Sequence, residues 1–293
     1  MPETHARRAF LWACGLDVAA RKPGNVSLAS PGHGMQAAQF LASAQAAAGP
    51  LCEPGAPVGA RIECGMRATL AVAGCNTNLG IVLLCAPLVA AHARWVPATG
   101  AAGLQAELRA TLAALDLEDA RAAFHAIALT QPGGLGSVPD QDVHQPPSVG
   151  LREAMSLAAP RDLIARHYAD GYEALFALGL PAFEAALRQP AGGGAAGAMQ
   201  RVFLAWLANF PDSHIARKHG DTVAHSVMAQ AQPWWLRAAA GELLDADPAF
   251  AAWDEQLKRA GLNPGTSADL SVATAMVGAL LEPRLAVGDL PAN

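Results

Sequence analysis

The sequence predicts an all-α protein. Alanine and leucine, both strong helix formers, dominate the composition. The strict alternation of apolar and polar residues that marks a half-buried strand is nearly absent. Proline and glycine cluster in a few stretches, leaving long segments between them uninterrupted. With 293 residues, 52% of them hydrophobic, the chain can bury a large core. One compact multi-helical domain of about a dozen helices over 1–293 is the expected architecture.

The helical patterns run over residues 5–20, 35–48, 59–73, 77–93, 103–115, 117–130, 151–178, 181–188, 198–209, 213–230, 233–245, 249–260 and 267–281. The 151–178 pattern should break near Pro160, and its later part carries Leu163, Ile164, Tyr168, Tyr172, Leu175 and Phe176 as a core stripe. Asp116 is placed to cap the helix after it, and Pro248 suits a first helical turn. The breaks are 22–34, 49–58, 132–150, 189–197 and 262–266. No internal repeat is present, which argues against a solenoid.

Charge narrows the function. Charged residues make up 15% and the net charge is -5, so nucleic acid is not an expected partner. The longest apolar run, Leu79–Ala91, is interrupted by Pro87. It falls short of the ~20 residues of a membrane helix. The N-terminus shows no secretion signal. Five cysteines form no C-x-x-C pair, and an odd, unpatterned set reads as reduced thiols of a cytoplasmic protein.

Polar residues concentrate in and beside the breaks, where a rigid helical scaffold presents loops. Lys22–Met35, K-P-G-N-V-S-L-A-S-P-G-H-G-M, sets Lys22, Asn25 and His33 on a glycine-rich segment; a long turn would also explain it. G-C-N-T-N-L-G puts Asn76, Thr77 and Asn78 at a helix start, more amide and hydroxyl groups than one cap needs. The 132–162 stretch carries Asp140, Asp142 and His144 in a Pro-rich loop, then Arg152 with Glu153, and Arg161 with Asp162, at helix starts. In D-S-H-I-A-R-K-H-G-D, a cap at Asp212 or Ser213 would set His214, Arg217 and Lys218 on one helix face. N-P-G-T-S-A-D-L places Asp269 in a first turn. Carboxylates and cations without Cys/His spacing favour magnesium, which is commonly held by one or two carboxylates plus substrate phosphates. No Walker loop, dinucleotide fingerprint or nucleophile elbow is present. The residues alone describe an all-helical, magnesium-dependent protein that handles a phosphorylated ligand.

Those five segments, in that order, resemble the triphosphoribosyl-dephospho-CoA synthases, over about residues 9–282. The resemblance implies an all-α enzyme that transfers the triphosphoribosyl group of ATP to the 2′-hydroxyl of 3′-dephospho-CoA, releasing adenine. It implies Asp212 and Asp269 for magnesium and triphosphate, Arg217 and Lys218 with His214 for phosphate, and Lys22, Asn25, Asn76, Thr77 and Asn78 for substrate. Asp142, Glu153 and His33 are alternative general bases. ATP and a small acceptor are the implied partners, and a homodimer is compatible. The chain departs from the family's N-T-H-K-G at Asn78 and Leu79, and its D-S-H-I-A-R-K-H-G is similar to a divergent branch from archaea and methylotrophic bacteria. That departure leaves three alternatives: a (phospho)ribosyl transferase with another acceptor, as in methanopterin-type C1-carrier synthesis; a magnesium-dependent N-glycoside hydrolase; and a nucleotide-binding protein without catalysis.

Overall fold

Two helices are apolar on every side, the mark of a central helix. They are α4 (Leu79–His92) and α14 (Gly265–Leu281), which pack on each other. The computed structural model describes residues 4–133, 140–189 and 193–287. Around this pair lie α1 (His5–Ala19), α2 (Ala37–Leu51), α3 (Val58–Ala73), α5 (Gly100–Ala113), α6 (Leu117–Thr130), α7 (Leu151–Ala158), α8 (Leu163–Asp170), α9 (Leu180–Leu187), α10 (Gly194–Asn209), α11 (Ser213–His219), α12 (Asp221–Ala239) and α13 (Pro248–Arg259). Among the described residues there are 14 α-helices and no strands, so the all-α expectation holds.

Central helix α4 contains Pro87. Proline has no N–H for the carbonyl four residues earlier, and a buried orphan carbonyl is costly. Here the hydroxyl of Tyr168 donates to the Leu83 carbonyl at 2.6 Å, and that of Tyr172 to the Leu84 carbonyl at 2.9 Å. Both tyrosines are fully buried. Tyr168 serves the carbonyl that Pro87 leaves orphaned, and both tyrosines lock the α8 segment onto α4.

Caps follow the sequence in part. Asp116 and Asp119 form a reciprocal capping box at the start of α6, at 3.0 and 3.2 Å. Pro248 opens α13 behind an Asp247 cap. The stretch 151–178 breaks after α7, as expected near Pro160, and again at Gly171, whose φ is +75°.

Boundaries differ at α10, which begins at Gly194 inside the expected 189–197 break, and most of all at α11 and α12. Residues 213–230 and 233–245 were expected as two helices divided before Pro233. The division instead falls at Gly220, with φ of +89°, and α12 continues through Pro233. Pro233 and Ala229 are both exposed, so the carbonyl freed by the proline is open to water and the helix tolerates it.

A large apolar cluster spans α1 to α10 and α14, and a smaller one lies among α10 to α14 around Phe203, Leu207, Ile215, Phe250 and Trp253. Buried Cys14 and Cys85 belong to the large one, and burial pushes both thiols up, which makes them inert. No single helix among the described residues is long and apolar enough to cross a membrane.

Candidate active site

A cavity of about 460 Å³ opens where the first turns of α4, α8 and α14 meet α11, the loop after α1 and the 140–143 segment. Helix N-termini carry partial positive charge, so their convergence favours an anionic ligand. Arg161 and Arg217 line the same space. Its other wall is apolar, with Phe40, Phe124, Ile127, Met155 and Leu157.

Asp269 stands at the meeting of α14 and α4. A methyl group on Gly80 would lie 2.0 Å from Asp269 Oδ2. The glycine is what lets the carboxylate rest against α4. No described residue donates a hydrogen bond to Asp269. Burial, then the neighbouring Asp17 and Asp212 carboxylates, push its carboxyl well above the usual range. Such a group is favoured as carboxylate by an added cation. Among the described residues no three His, Cys, Asp or Glu side chains form a complete metal cluster. That donor set fits an ion that keeps water and phosphate ligands, as magnesium does, and does not fit an all-protein cage.

The residues named from sequence divide into those that line the cavity and those that hold its walls. Asn25, Asn76, Thr77, Asn78, Asp142, His214, Arg217 and Asp269 line it. Arg217 is held by Asp162 at 3.5 Å and the Gly133 carbonyl at 3.0 Å. Asp162 caps α8 at the Ala165 N–H, 2.9 Å. The His214 imidazole is pushed down to about 3, by burial first and then by Lys218, Arg217, His33 and His219. It is neutral at pH 7, and its Nε2 is buried without a partner among the described residues.

Five of the named residues stand outside the cavity lining. Asp212 is fully buried behind the wall, and its oxygens accept four hydrogen bonds, from the N–H groups of His214 and Ile215 (2.9 and 3.1 Å) and from Ser267 N and Oγ (both 2.8 Å). A carboxylate offers about four acceptor sites, so none is left for magnesium; Asp212 ties α11 to α14. Lys22 is fully buried and paired to Asp17 at 2.9 Å and to Asn25 Oδ1. It neutralises an internal carboxylate and is not open to phosphate. His33, at φ +54°, has its Nε2 2.7 Å from the Gly24 carbonyl. An N–H donating there fixes the tautomer with Nδ1 as the basic nitrogen, and His33 does not line the cavity. Glu153 is exposed in the first turn of α7, outside the cavity lining. Lys218 is also exposed and packs over Gly133.

Sequence reading missed three groups. Asp17 lines the cavity from α1, and its only signal was a lone carboxylate in an apolar helix. Asn263 accepts from Asn25 Nδ2 at 2.8 Å and joins the first break to the last. Asp254, fully buried on α13, accepts the Gly24 N–H at 2.9 Å and pairs with Lys258 at 3.0 Å, and Lys258 donates to the Ser30 carbonyl at 3.1 Å.

The family model described as "CitG: ATP:dephospho-CoA triphosphoribosyl transferase" matches residues 3–286. The chain belongs to this family. It is accordingly a transferase, and the family reaction moves the triphosphoribosyl group of ATP to dephospho-CoA. A crystal structure of a proposed triphosphoribosyl-dephospho-CoA synthase from Archaeoglobus fulgidus superposes with a TM-score of 0.62 and 22% identity, covering 83% of this chain and 98% of that one. At that identity the likeness speaks for the fold. None of the curated proteins matches the chain.

Proposed function

We propose that this cavity carries out the family's transfer with magnesium, and that Asp269 is the carboxylate on which it turns. The observation behind this is Asp269 itself: a carboxylate with no donor among the described residues, seated on Gly80 where three helix N-termini converge. Arg217, with Arg161, takes the triphosphate, and Lys218 adds charge from the rim. Asp269 would hold magnesium together with the phosphates, and the ion when bound would neutralise charge on the triphosphate. As the bond from ribose C1′ to adenine N9 breaks, positive charge grows on the ribose, and the Asp269 carboxylate stabilises it. Asp142, the one candidate base that lines the cavity, accepts the proton of the attacking 2′-hydroxyl. The new bond joins that oxygen to C1′, and the proton passes on to the departing adenine.

The test is adenine release by the pure protein with ATP, magnesium and 3′-dephospho-CoA, with the adduct followed by mass. Adenine that appears only with dephospho-CoA, alongside a triphosphoribosyl adduct, is the expected result. Adenine without acceptor would mean hydrolysis. ATP binding without adenine would favour a second reading, transfer to another acceptor such as a pterin precursor. Leu79 favours that reading, since it puts a buried apolar side chain in the cavity wall where the family carries lysine.

A further inference from the structure

We propose that Thr69, on α3 and outside the cavity lining, is a positioning residue that turns the Asn78 amide so that its Nδ2 donates to a ribose hydroxyl of ATP. The proposal rests on the ATP-transfer reading above.

Asn78 is 3% exposed and lines the cavity. Its Oδ1 lies 3.0 Å from the Thr69 hydroxyl, and its Nδ2 is buried with no partner among the described residues. The direction of that hydrogen bond follows from Thr69. A buried hydroxyl in a helix commonly donates to the carbonyl four residues back. Ser43, Thr111, Ser271 and Thr274 all do so here, at 2.7–2.8 Å. Thr69 has no such bond among the described residues and is fully buried. Its proton has one acceptor, Asn78 Oδ1, which leaves the amide nitrogen on the opposite side as a donor. A buried donor left unpaired is costly, so a ligand that accepts from it gains affinity.

The class of acceptor follows from charge. At this edge Asn76 Oδ1 accepts the Leu79 N–H at 3.1 Å, and Leu79 is apolar. The α4 edge therefore carries neutral amide groups and no cation, while Arg161 and Arg217 stand on the α8–α11 side. Triphosphate belongs with the arginines. The neutral donor matches the sugar's hydroxyl oxygens, which ask for hydrogen bonds without charge.

The experiment is calorimetric binding of ATP, 2′-deoxy-ATP and 3′-deoxy-ATP to the full chain, to Thr69→Val, Thr69→Ser and Asn78→Ala, with melting temperatures to confirm folding. Wild type should prefer ATP to one deoxy analogue by about five- to tenfold, the worth of one neutral hydrogen bond. Thr69→Val, which keeps the shape, and Asn78→Ala should erase that preference, and Thr69→Ser should restore it. A preference unchanged in Thr69→Val, or no preference in wild type, overturns the proposal. Failure of wild type to bind ATP at all removes the ATP reading itself, a different result from binding without discrimination.

Discussion

Two walls of the cavity solve the same problem in opposite ways. The α4 edge, Asn76 to Gly80, presents neutral groups held from behind by hydroxyls: Thr69 on Asn78, and Ser43, which accepts from Thr77 at 2.7 Å. The α11 edge presents His214 and Arg217 and is held by carboxylates, Asp212 beneath and Asp162 beside. A neutral wall needs only hydrogen-bond geometry. A cationic wall needs counter-charge as well, and that counter-charge must be satisfied where it is buried. The walls should therefore fail differently: damage to the α11 support costs stability, and loss of an amide from the α4 edge costs recognition.

The largest effect should come from Asp212→Ala. It strands the donors of Ile215 N and of Ser267 N and Oγ, and leaves the His214 N–H only its 3.2 Å bond to Thr266 Oγ1, so a loss on the order of 3–5 kcal/mol is expected in urea unfolding. A variant as stable as the parent would remove Asp212 from the support role. Lys22→Ala should be similarly harmful, about 3–5 kcal/mol, because it strands the buried Asp17 carboxylate. Lys22→Ala together with Asp17→Asn should recover most of that loss.

Asp269→Asn sharpens the contrast. Its carboxyl is pushed up by burial and by Asp17 and Asp212. Ionisation therefore costs the fold stability as pH rises above the carboxyl's ordinary range, and an amide removes that cost. Turnover should fall by about a hundredfold or more while the melting temperature at pH 7 holds or rises. A drop in both would refute the assignment. Gly80→Ala drives a methyl group onto the same carboxylate and should cost about 1–3 kcal/mol. In Asp269→Ala the penalty of Gly80→Ala should shrink, a coupling that a double-mutant cycle measures.

The smallest effect concerns His214. Its folded-state value of about 3 lies below the ordinary 6.5. Between those values the unfolded chain binds a proton that the folded one does not, so stability falls as pH drops from 6.5 toward 3. His214→Gln should flatten that decline by about 1 kcal/mol near pH 5.5. Equal pH slopes in the two proteins would show that the imidazole titrates normally.

The helices were legible because alanine-rich periodic segments and proline–glycine breaks are local signals. Pro233 misled because a proline on an exposed face loses only a carbonyl that water can serve. Motif residues were legible as a set, but not their orientation. Lys22 and Asp212 look like ligand groups in a sequence, and only packing shows them turned inward. Thr69 was invisible, since a threonine in a helix is ordinary until its neighbour across 9 residues is known. Asp254 was invisible for the same reason, across 230 residues.

That last tie has a consequence for how the protein is made. The first loop is fastened by groups near the other end of the chain: Asp254, Lys258 and Asn263 hold Gly24, Ser30 and Asn25. Chains emerge from the ribosome N-terminus first, and contacts between distant segments form late. The earliest residues of the candidate cavity are thus the last to be set. A nascent chain stalled before α13 leaves the tunnel would have most of its helices but an unfastened first loop. Activity should appear with completion of the chain and not grow in proportion to its length.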